Sequence, residues 1–138
     1  EVAPLNSKEN MFQDEEGNVI DGLSTSSILS VGVPGTVAGM GYIHEKYATL
    51  PWDQLLYPAF LLAKYGFELD QHNHYLFNNS SLIDKLSKDE ETRKIFIENK
   101  IYSLNDLIVQ PDLAKTLLRI SKHGYKEFYF GQTADNII

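Results

Sequence analysis

The sequence contains 138 residues, of which 43% are hydrophobic and 22% charged, and it has no cysteine. This composition is typical of an ordered globular protein and excludes a disordered tail, which lacks the apolar surface that offsets the entropy of ordering. Nineteen acidic against 12 basic side chains give a formal net charge of −7, which argues against nucleic-acid binding and a polybasic membrane patch. Without cysteine there is no disulfide, thiol nucleophile or cysteine-ligated zinc. We expect no metal and no cofactor.

The length suits one domain or a piece of one. The longest apolar stretch, Tyr57–Ala63, contains Pro58 and is far shorter than the roughly 18–20 residues that span a bilayer. The N-terminus has no initiator Met and none of the features of a signal peptide. We therefore expect no membrane span in this segment, and we expect both ends to be cuts in a longer protein.

Residues 1–33 lack helical periodicity, and we predict extended, loop-rich chain with short strands there. The run Ser30–Val33 is rich in β-branched residues and predicts a strand. Pro34 then suits the first position of a helix, because its missing N–H is not needed there. Residues 34–138 are predicted to be helical.

The first predicted helix carries side chains at three- and four-residue spacing, which places them on one apolar face. They are Val37, Met40, Ile43, His44 and Tyr47. Gly39 and Gly41 each weaken a helix by about 1 kcal/mol relative to Ala. We therefore expect this helix to be tightly docked against a neighbour.

A second helix is predicted to begin at Pro51, to bend at Pro58 and to end at Gly66. Its apolar side chains cover so much of its circumference that we expect burial on more than one side, at the centre of the fold. These side chains are Leu55, Leu56, Ala59, Phe60, Leu62 and Ala63.

Start signals predict several shorter helices further along the chain. Asp70 is a plausible N-cap, and Ser87–Glu90 has the spacing of a capping box. Pro111 and Gly124 bound the clearest helix, and a last helix is predicted from Gln132. The apolar stripe of the clearest helix is Leu113, Leu117 and Ile120.

The spacing of the four histidines argues against a metal site or a catalytic role. In a helix, His72 and His74 point about 200° apart, and no nearby Cys or His completes a zinc set. His44 and His123 each stand near the end of a predicted helix, where a cation complements the helix dipole. We interpret all four as structural or surface residues.

Other polar motifs also have ordinary structural interpretations. The acidic runs Asp14–Glu16 and Asp89–Glu91 lack the ligand spacing of a calcium loop and are read as turns or caps. The glycine-rich Gly32–Gly39 matches neither a P-loop nor a dinucleotide fingerprint, so close packing is favoured. Ser26–Ser27 and Ser80–Ser81 are not set in a nucleophile elbow, and turns or caps are expected.

Short motifs occur in a fixed order along nearly the whole chain. They are Glu1–Pro4, Met11–Phe12, Leu29–Met40, Tyr47–Trp52, Pro58–Ala59, Leu62–Ala63, Gly66–Phe67, Val109–Leu117 and Phe128–Gly131, with Ala134 and Ile137. In this order they resemble the large subunit of γ-glutamyltranspeptidases. The turn Leu104–Asp106 departs from the family pattern because it lacks a glycine.

The resemblance implies an α+β, mainly helical segment of an αββα N-terminal nucleophile hydrolase, made as a precursor that cleaves itself into two subunits. The new N-terminal Thr attacks the γ-glutamyl amide of glutathione-like donors, its α-amine acting as base. An oxyanion hole stabilises the intermediate, and the acyl group passes to water, an amino acid or a peptide. Implied partners are the remainder of the large subunit and the small subunit. The parent is expected to be periplasmic or extracellular.

The same resemblance implies that the reacting groups lie outside this chain. No threonine stands in the family's cleavage-site context; the six are Thr25, Thr36, Thr49, Thr92, Thr116 and Thr133. The oxyanion-hole serine pair belongs to the small subunit. The arginine that grips the substrate α-carboxylate is expected immediately before Glu1. We therefore expect no catalytic, substrate-binding or metal-binding residue here, and no activity from this chain alone.

Two alternatives stay open. The same segment occurs in related γ-glutamyl hydrolases and poly-γ-glutamate enzymes. A stand-alone helical interaction module would use the aromatic cluster Tyr125–Phe130, although we predict Phe128, Tyr129 and Phe130 as core because no basic groove for base stacking accompanies them. Finally, we expect exposed apolar surface where other layers of the parent pack.

Overall fold

The computed structural model describes residues 2–97 and 101–138. The chain is mainly helical with one small sheet, as predicted, and it divides into two compact units, Glu1–Ala48 and Thr49–Ile138. Within the described residues, every helix is too short or too polar to cross a lipid bilayer.

The first unit is loop-rich before its one long helix. Its helices are α1 (Leu23–Ser26) and α2 (Thr36–Tyr47), with a 3-10 turn at Ile28–Ser30 between them. Isolated β-bridges join Val2 to Val33 and Gln13 to Val19. The strand predicted over Ser30–Val33 is therefore only a bridge at Val33: Ser30 ends the 3-10 turn, and Val31 and Gly32 lie outside any helix or strand.

Helix α2 differs from its prediction at its start and in its packing. It begins at Thr36 after the N-cap Gly35, so Pro34 precedes the helix rather than opening it. Gly41 is buried, but a Cβ added at Gly39 would meet nothing within 4 Å. Most of the apolar stripe is exposed: Met40 is 57% and Tyr47 74% accessible, and only Val37 and His44 are half-buried. The prediction of tight docking is wrong within this unit.

The second unit contains seven helices and a two-stranded antiparallel sheet among its described residues. In chain order these are α3 (Trp52–Tyr65), β1 (Phe67–Glu68), α4 (Gln71–Phe77), α5 (Ser80–Leu86), α6 (Glu90–Phe96), β2 (Leu107–Ile108), α7 (Pro111–His123), α8 (Glu127–Phe130) and α9 (Gln132–Ile137). In the sheet, Phe67 lies opposite Ile108 and Glu68 opposite Leu107.

Helices α3 and α7 pack on each other, and the Trp52 indole N–H donates to the Ile120 carbonyl at 2.9 Å. Pro58 lies inside α3, and Gly66 follows it with φ of 90°. Only Ala63 of α3 is buried, while Leu55 and Leu62 are about half exposed. The prediction that this helix lies at the centre is wrong within this unit, because α7 covers one side and its remaining apolar surface is exposed. Exposed apolar surface was expected, and it is observed.

The buried core of the second unit lies beside the sheet. Leu69, Tyr102 and Ile108 are buried together, and Phe77 packs against them. The Phe77 and Tyr102 rings meet edge to face with centroids 5.0 Å apart. Asn78 donates to the Tyr102 carbonyl at 2.9 Å and accepts from the Tyr102 N–H at 3.1 Å. These paired hydrogen bonds attach the end of α4 to the segment before β2.

Helix starts agree with the sequence at one position and shift at another. Asp70 caps α4 by accepting from the Asn73 N–H at 2.8 Å, as predicted. Helix α6 starts two residues later than the capping-box spacing indicated: Asp89, not Ser87, accepts from the Thr92 N–H at 2.7 Å. Ser87 instead ends α5. Both residue types cap helices well, so spacing alone selects the wrong one.

Candidate functional site

The histidine pair and the two serine pairs considered in the sequence lie on short helical elements. His72 and His74 lie on the short helix α4, and no group of three His, Asp or Glu side chains able to hold a metal occurs in residues 2–97 and 101–138. Ser27 accepts from the Leu29 N–H at 3.2 Å and so caps the 3-10 turn, as expected. Ser80 begins α5, whose cap is Asn79.

The acidic run at Asp14 is a turn rather than a cation site. The Asp14 carboxylate accepts from the N–H groups of Glu16 and Asn18 at 3.0 and 2.8 Å, and from the Asn18 side chain at 3.1 Å. These hydrogen bonds, chiefly those from Asn18, hold the pKa of Asp14 below its ordinary value. The carboxylate oxygens are therefore occupied by the turn itself.

The strongest candidate for a functional site lies in the first unit. There, residues from two of the ordered motifs, Val2 and Val33, are hydrogen-bonded to each other. The Val33 N–H donates to the Val2 carbonyl at 2.9 Å. A Cβ added at Gly32 would lie 3.5 Å from that same carbonyl, so the glycine allows ordinary close packing rather than relieving a clash. Beside the bridge is a cleft of about 450 Å³. Its lining residues are Val2–Pro4, Ser7, Met11, Phe12 and Leu29–Gly32.

This arrangement brings Val2 alongside Val33, at the start of the glycine-rich Gly32–Gly39. Glu1, before which the family arginine is expected, lies outside the described residues. The lining of the cleft is apolar apart from hydroxyls and backbone groups. It supplies a wall and hydrogen-bonding backbone, and no acid, base or charged nucleophile.

A buried polar cluster in the second unit was not predicted from the sequence. Glu127 is buried, and its two carboxylate oxygens accept from the Thr133 hydroxyl at 2.7 Å and the Thr133 N–H at 3.1 Å. The Arg119 guanidinium lies 3.4 Å from Glu127 and also donates to the Thr133 hydroxyl. The cluster ties α7 to α8 and α9 and leaves the buried carboxylate paired.

The backbone at Gly131 fits this cluster closely. A Cβ there would lie 2.8 Å from the Glu127 carbonyl oxygen and 3.0 Å from the Glu127 side chain. The string Phe128–Gly131 therefore ends at a position where even the Cβ of alanine would come too close to the backbone. A glycine after an aromatic run predicts a turn from sequence. The contacts of Arg119 with Glu127 and Thr133 could not be predicted in this way, because these residues lie eight and fourteen positions further along the chain.

The aromatic run is only partly core. Phe128 and Tyr129 are half-buried and meet edge to face with centroids 5.1 Å apart. Phe130 is 85% exposed, so its prediction as a core residue is wrong. Phe130 is the last residue of the single-turn helix α8.

The sequence motifs can now be compared with known proteins. The family model described as gamma-glutamyltranspeptidase matches residues 1–138. The chain belongs to the γ-glutamyltranspeptidase family. The resemblance seen in the ordered motifs is thereby confirmed over the whole chain.

Curated relatives include glutathione hydrolase proenzymes from Pseudomonas sp. and Escherichia coli. The first is 42% identical over 140 residues and the second 36% over 146, covering 100% and 99% of this chain. In both cases this chain spans 24% of the relative's length. A capsule biosynthesis protein CapD proenzyme from Bacillus anthracis is 40% identical over 75% of this chain and 19% of its own length.

Solved structures give the same result for the fold. Helicobacter pylori γ-glutamyltranspeptidase aligns with a TM-score of 0.92 at 41% identity, over 99% of this chain and 39% of that one. The enzyme from Pseudomonas nitroreducens aligns with a TM-score of 0.86 at 33% identity, over 100% of this chain and 40% of that one. The chain is thus a mainly helical segment of an N-terminal nucleophile hydrolase fold, as expected.

Proposed function

We propose that this chain is part of an enzyme that cleaves the γ-glutamyl amide of glutathione and related compounds and passes the γ-glutamyl group to water, an amino acid or a peptide. The observation that carries the proposal is the family match over residues 1–138, together with relatives named glutathione hydrolase proenzyme. In this proposal the remainder of the large subunit and a small subunit complete the enzyme.

The nucleophile in this proposal is an N-terminal Thr outside this chain. Such a residue uses its own α-amine as general base, so its nitrogen must be free of a peptide bond. None of the six threonines of this chain stands in the cleavage-site context that the family resemblance implies. The Thr133 hydroxyl is buried against Glu127, which leaves it no access to a substrate.

In this proposal the chain positions neighbouring segments of the enzyme and excludes water from between them. The bridge from Val33 to Val2 holds the segment that leads back towards Glu1, before which the carboxylate-binding arginine is expected. The exposed apolar faces of α2 and α3 supply packing surface for the other layers of the enzyme. We place the parent protein in the periplasm or outside the cell.

The alternative within the family is a CapD-like enzyme that acts on poly-γ-glutamate. The Bacillus anthracis CapD structure aligns with a TM-score of 0.67 over 78% of this chain. The Helicobacter pylori structure aligns with 0.92 over 99%. This difference favours the glutathione-type enzyme. Family membership likewise favours an enzyme segment over a stand-alone interaction module.

The test is an assay of the complete protein encoded by the reading frame that contains this chain. We expect release of p-nitroaniline from γ-glutamyl-p-nitroanilide and conversion of glutathione to cysteinylglycine. Poly-γ-glutamate is the third substrate, and preferential cleavage of it would favour the CapD-like alternative. A properly folded protein that turns over none of the three substrates would contradict the proposal. The 138-residue chain alone is expected to be inactive, and turnover by it would refute the placement of the nucleophile.

A further inference from the structure

The peptide bond between Asp21 and Gly22 joins the loop-rich part of the first unit to helix α1. Both residues form a turn, and Asp21 is exposed. In the part of the chain that the structure describes, no group forms a hydrogen bond or an ion pair with the Asp21 carboxylate. The Asp21 side chain is therefore free to rotate, including towards the backbone that follows it.

The backbone nitrogen of Gly22 can reach that carboxyl carbon by closing a five-membered ring. Within residues 2–97 and 101–138, the Gly22 N–H donates no hydrogen bond. At Asn6–Ser7, by contrast, the nitrogen after the asparagine donates to the Pro4 carbonyl at 3.0 Å. At Asn105–Asp106 the corresponding nitrogen donates to the Ser103 carbonyl at 3.1 Å. A nitrogen held in this way must give up its hydrogen bond before it attacks the preceding side chain.

Glycine also removes the steric obstacle to ring closure. Gly22 has φ of 75°, and a Cβ built there would meet nothing within 4 Å, so the space around its backbone is open. Without a side chain, the Gly22 nitrogen can approach the Asp21 carboxyl carbon closely. Asp14 in the same unit is the contrast, because hydrogen bonds from Glu16 and Asn18 fix its carboxylate and the residue after it is a glutamate.

We propose that Asp21–Gly22 is a site of spontaneous isoaspartate formation. The Gly22 nitrogen attacks Cγ of the protonated Asp21 carboxyl group. An N–Cγ bond forms, a Cγ–O bond breaks, and one water leaves with the amide proton. Water then adds to either carbonyl carbon of the cyclic imide, that C–N bond breaks, and the nitrogen regains a proton. Opening at Cγ restores the aspartate, and opening at the backbone carbonyl leaves the chain running through Cγ as isoaspartate.

The isoaspartate inserts one extra carbon into the backbone between two anchored parts of the first unit. Before it, the Ile20 N–H donates to the Phe12 carbonyl at 2.9 Å. After it, the Gly22 carbonyl accepts the first hydrogen bonds of α1. Phe12 lines the cleft of about 450 Å³, and so does Leu29, which follows α1. The modification therefore lengthens the connection between two parts of the lining of this cleft.

Incubation of the complete protein in water enriched in the heavy oxygen isotope tests the proposal, because each ring opening places one solvent oxygen in the product. After several weeks at neutral pH the protein would be digested in ordinary water after its glutamates, which separates Asp21 from Asp14. Fragment spectra then locate the label and distinguish isoaspartate from aspartate. We expect label at residue 21 that increases with time, in both forms, and none at Asp14.

Two substitutions at the exposed Asp21 are the matched controls, and neither should change the circular dichroism spectrum. Asp21→Glu keeps the charge but requires a larger ring, so the label at residue 21 should be lost. Asp21→Asn should convert faster than the unaltered protein, because an amide carbon accepts the attack without first being protonated.

Four results would each overturn the proposal. They are an absence of label at Asp21 in the complete protein, equal labelling of Asp14 and Asp21, undiminished label in Asp21→Glu, and an Asp21→Asn variant that keeps its side-chain amide. The last result would show that the Gly22 nitrogen does not reach the carbon it must attack.

Discussion

The Thr133 hydroxyl contacts both charged members of the buried cluster, so its removal has a calculable effect. It donates to Glu127 at 2.7 Å and accepts from Arg119 Nη2 and Nε at 3.2 and 3.3 Å. Thr133→Val preserves the shape of the side chain and removes these contacts. Hydrogen bonds to charged groups contribute about 1.5–3 kcal/mol each, and here one short bond and a shared longer pair are lost. We expect the corner formed by α8 and α9 to lose about 2–3 kcal/mol of local stability.

Hydrogen exchange of the α8 and α9 amides in the complete protein measures this loss directly. A loss of that size corresponds to about 30- to 150-fold faster exchange where local opening limits it. Thr133→Ser keeps the hydroxyl and should restore most of the protection. Thr25→Val is the matched control, because Thr25 is exposed and its hydroxyl lies a long 3.4 Å from its acceptor.

Two outcomes would refute the reasoning about this cluster. If Thr133→Val exchanged at the rate of the unaltered protein, the hydroxyl would not be stabilising the buried carboxylate. If Thr133→Ser accelerated exchange as much as Thr133→Val, the methyl group rather than the hydroxyl would carry the stability.

Three further substitutions test other parts of the second unit. Gly66→Ala should lower the melting temperature more than Gly124→Ala. Both glycines have positive φ, so both substitutions strain the backbone. Only the Cβ at Gly66 would also come within 2.7 Å of a neighbouring side chain, since a Cβ at Gly124 would meet nothing within 4 Å. Tyr102→Phe loses a 2.8 Å hydrogen bond to a backbone carbonyl and should cost about 1 kcal/mol in denaturant unfolding; Tyr75→Phe, on an exposed ring, should cost nothing measurable. Hydrogen bonds from the first turn of α6 hold the Asp89 pKa below its ordinary value. The stabilisation that the Asp89 carboxylate gives α6 is therefore complete above about pH 4 and is lost as pH falls through the lowered pKa. Hydrogen exchange of the α6 amides, corrected for intrinsic rate, should rise in that pH range, and Asp89→Asn should abolish the rise because the amide still caps but does not titrate.

Each of these expectations has a result that contradicts it. Equal melting shifts for Gly66→Ala and Gly124→Ala would show that the close approach relaxes at no cost. Equal free energies of unfolding for Tyr102→Phe and Tyr75→Phe would show that the Tyr102 hydroxyl does not stabilise the core. If the α6 amides of Asp89→Asn showed the same pH dependence of exchange as those of the unaltered protein, a group other than Asp89 would be responsible for it.

Local signals predicted some elements well because all the necessary residues are close in sequence. Helix α7 lies between Pro111 and Gly124 as predicted, since a proline at the first position and a glycine after the last act through the backbone alone. Asp70 was recognised as a cap for the same reason. Helix α6 shows the limit of such signals, because Ser87 and Asp89 are both competent caps and only Asp89 caps the helix, while Ser87 follows the end of α5.

Burial and long-range contacts could not be predicted from local patterns. The apolar circumference of α3 indicated a central helix, yet Leu55 and Leu62 are exposed, because periodicity reports what a helix can bury and not what covers it. Strand β1 has only two residues and exists through its pairing with β2, some forty positions later. The cluster of Arg119, Glu127 and Thr133 depends on how two turns fold back, which no spacing rule describes.

The family itself could be recognised from sequence because its motifs are spread along the chain in a fixed order. Their function could not be derived from composition, since the segment Glu1–Pro4 and the glycine-rich Gly32–Gly39 contain no acid–base pair or metal set. The structure explains their proximity in one respect: the Val2 and Val33 backbones are hydrogen-bonded.

Mapping the covalent γ-glutamyl intermediate is the measurement that bears most directly on the proposed mechanism. The complete protein would be mixed with a γ-glutamyl donor, quenched during turnover, digested and sequenced by mass spectrometry. We predict the γ-glutamyl mass on the N-terminal Thr of a second polypeptide, and none on the six threonines of this chain. A γ-glutamyl adduct on Thr133, or on any other residue from 1 to 138, would contradict the proposal that the nucleophile lies outside this segment.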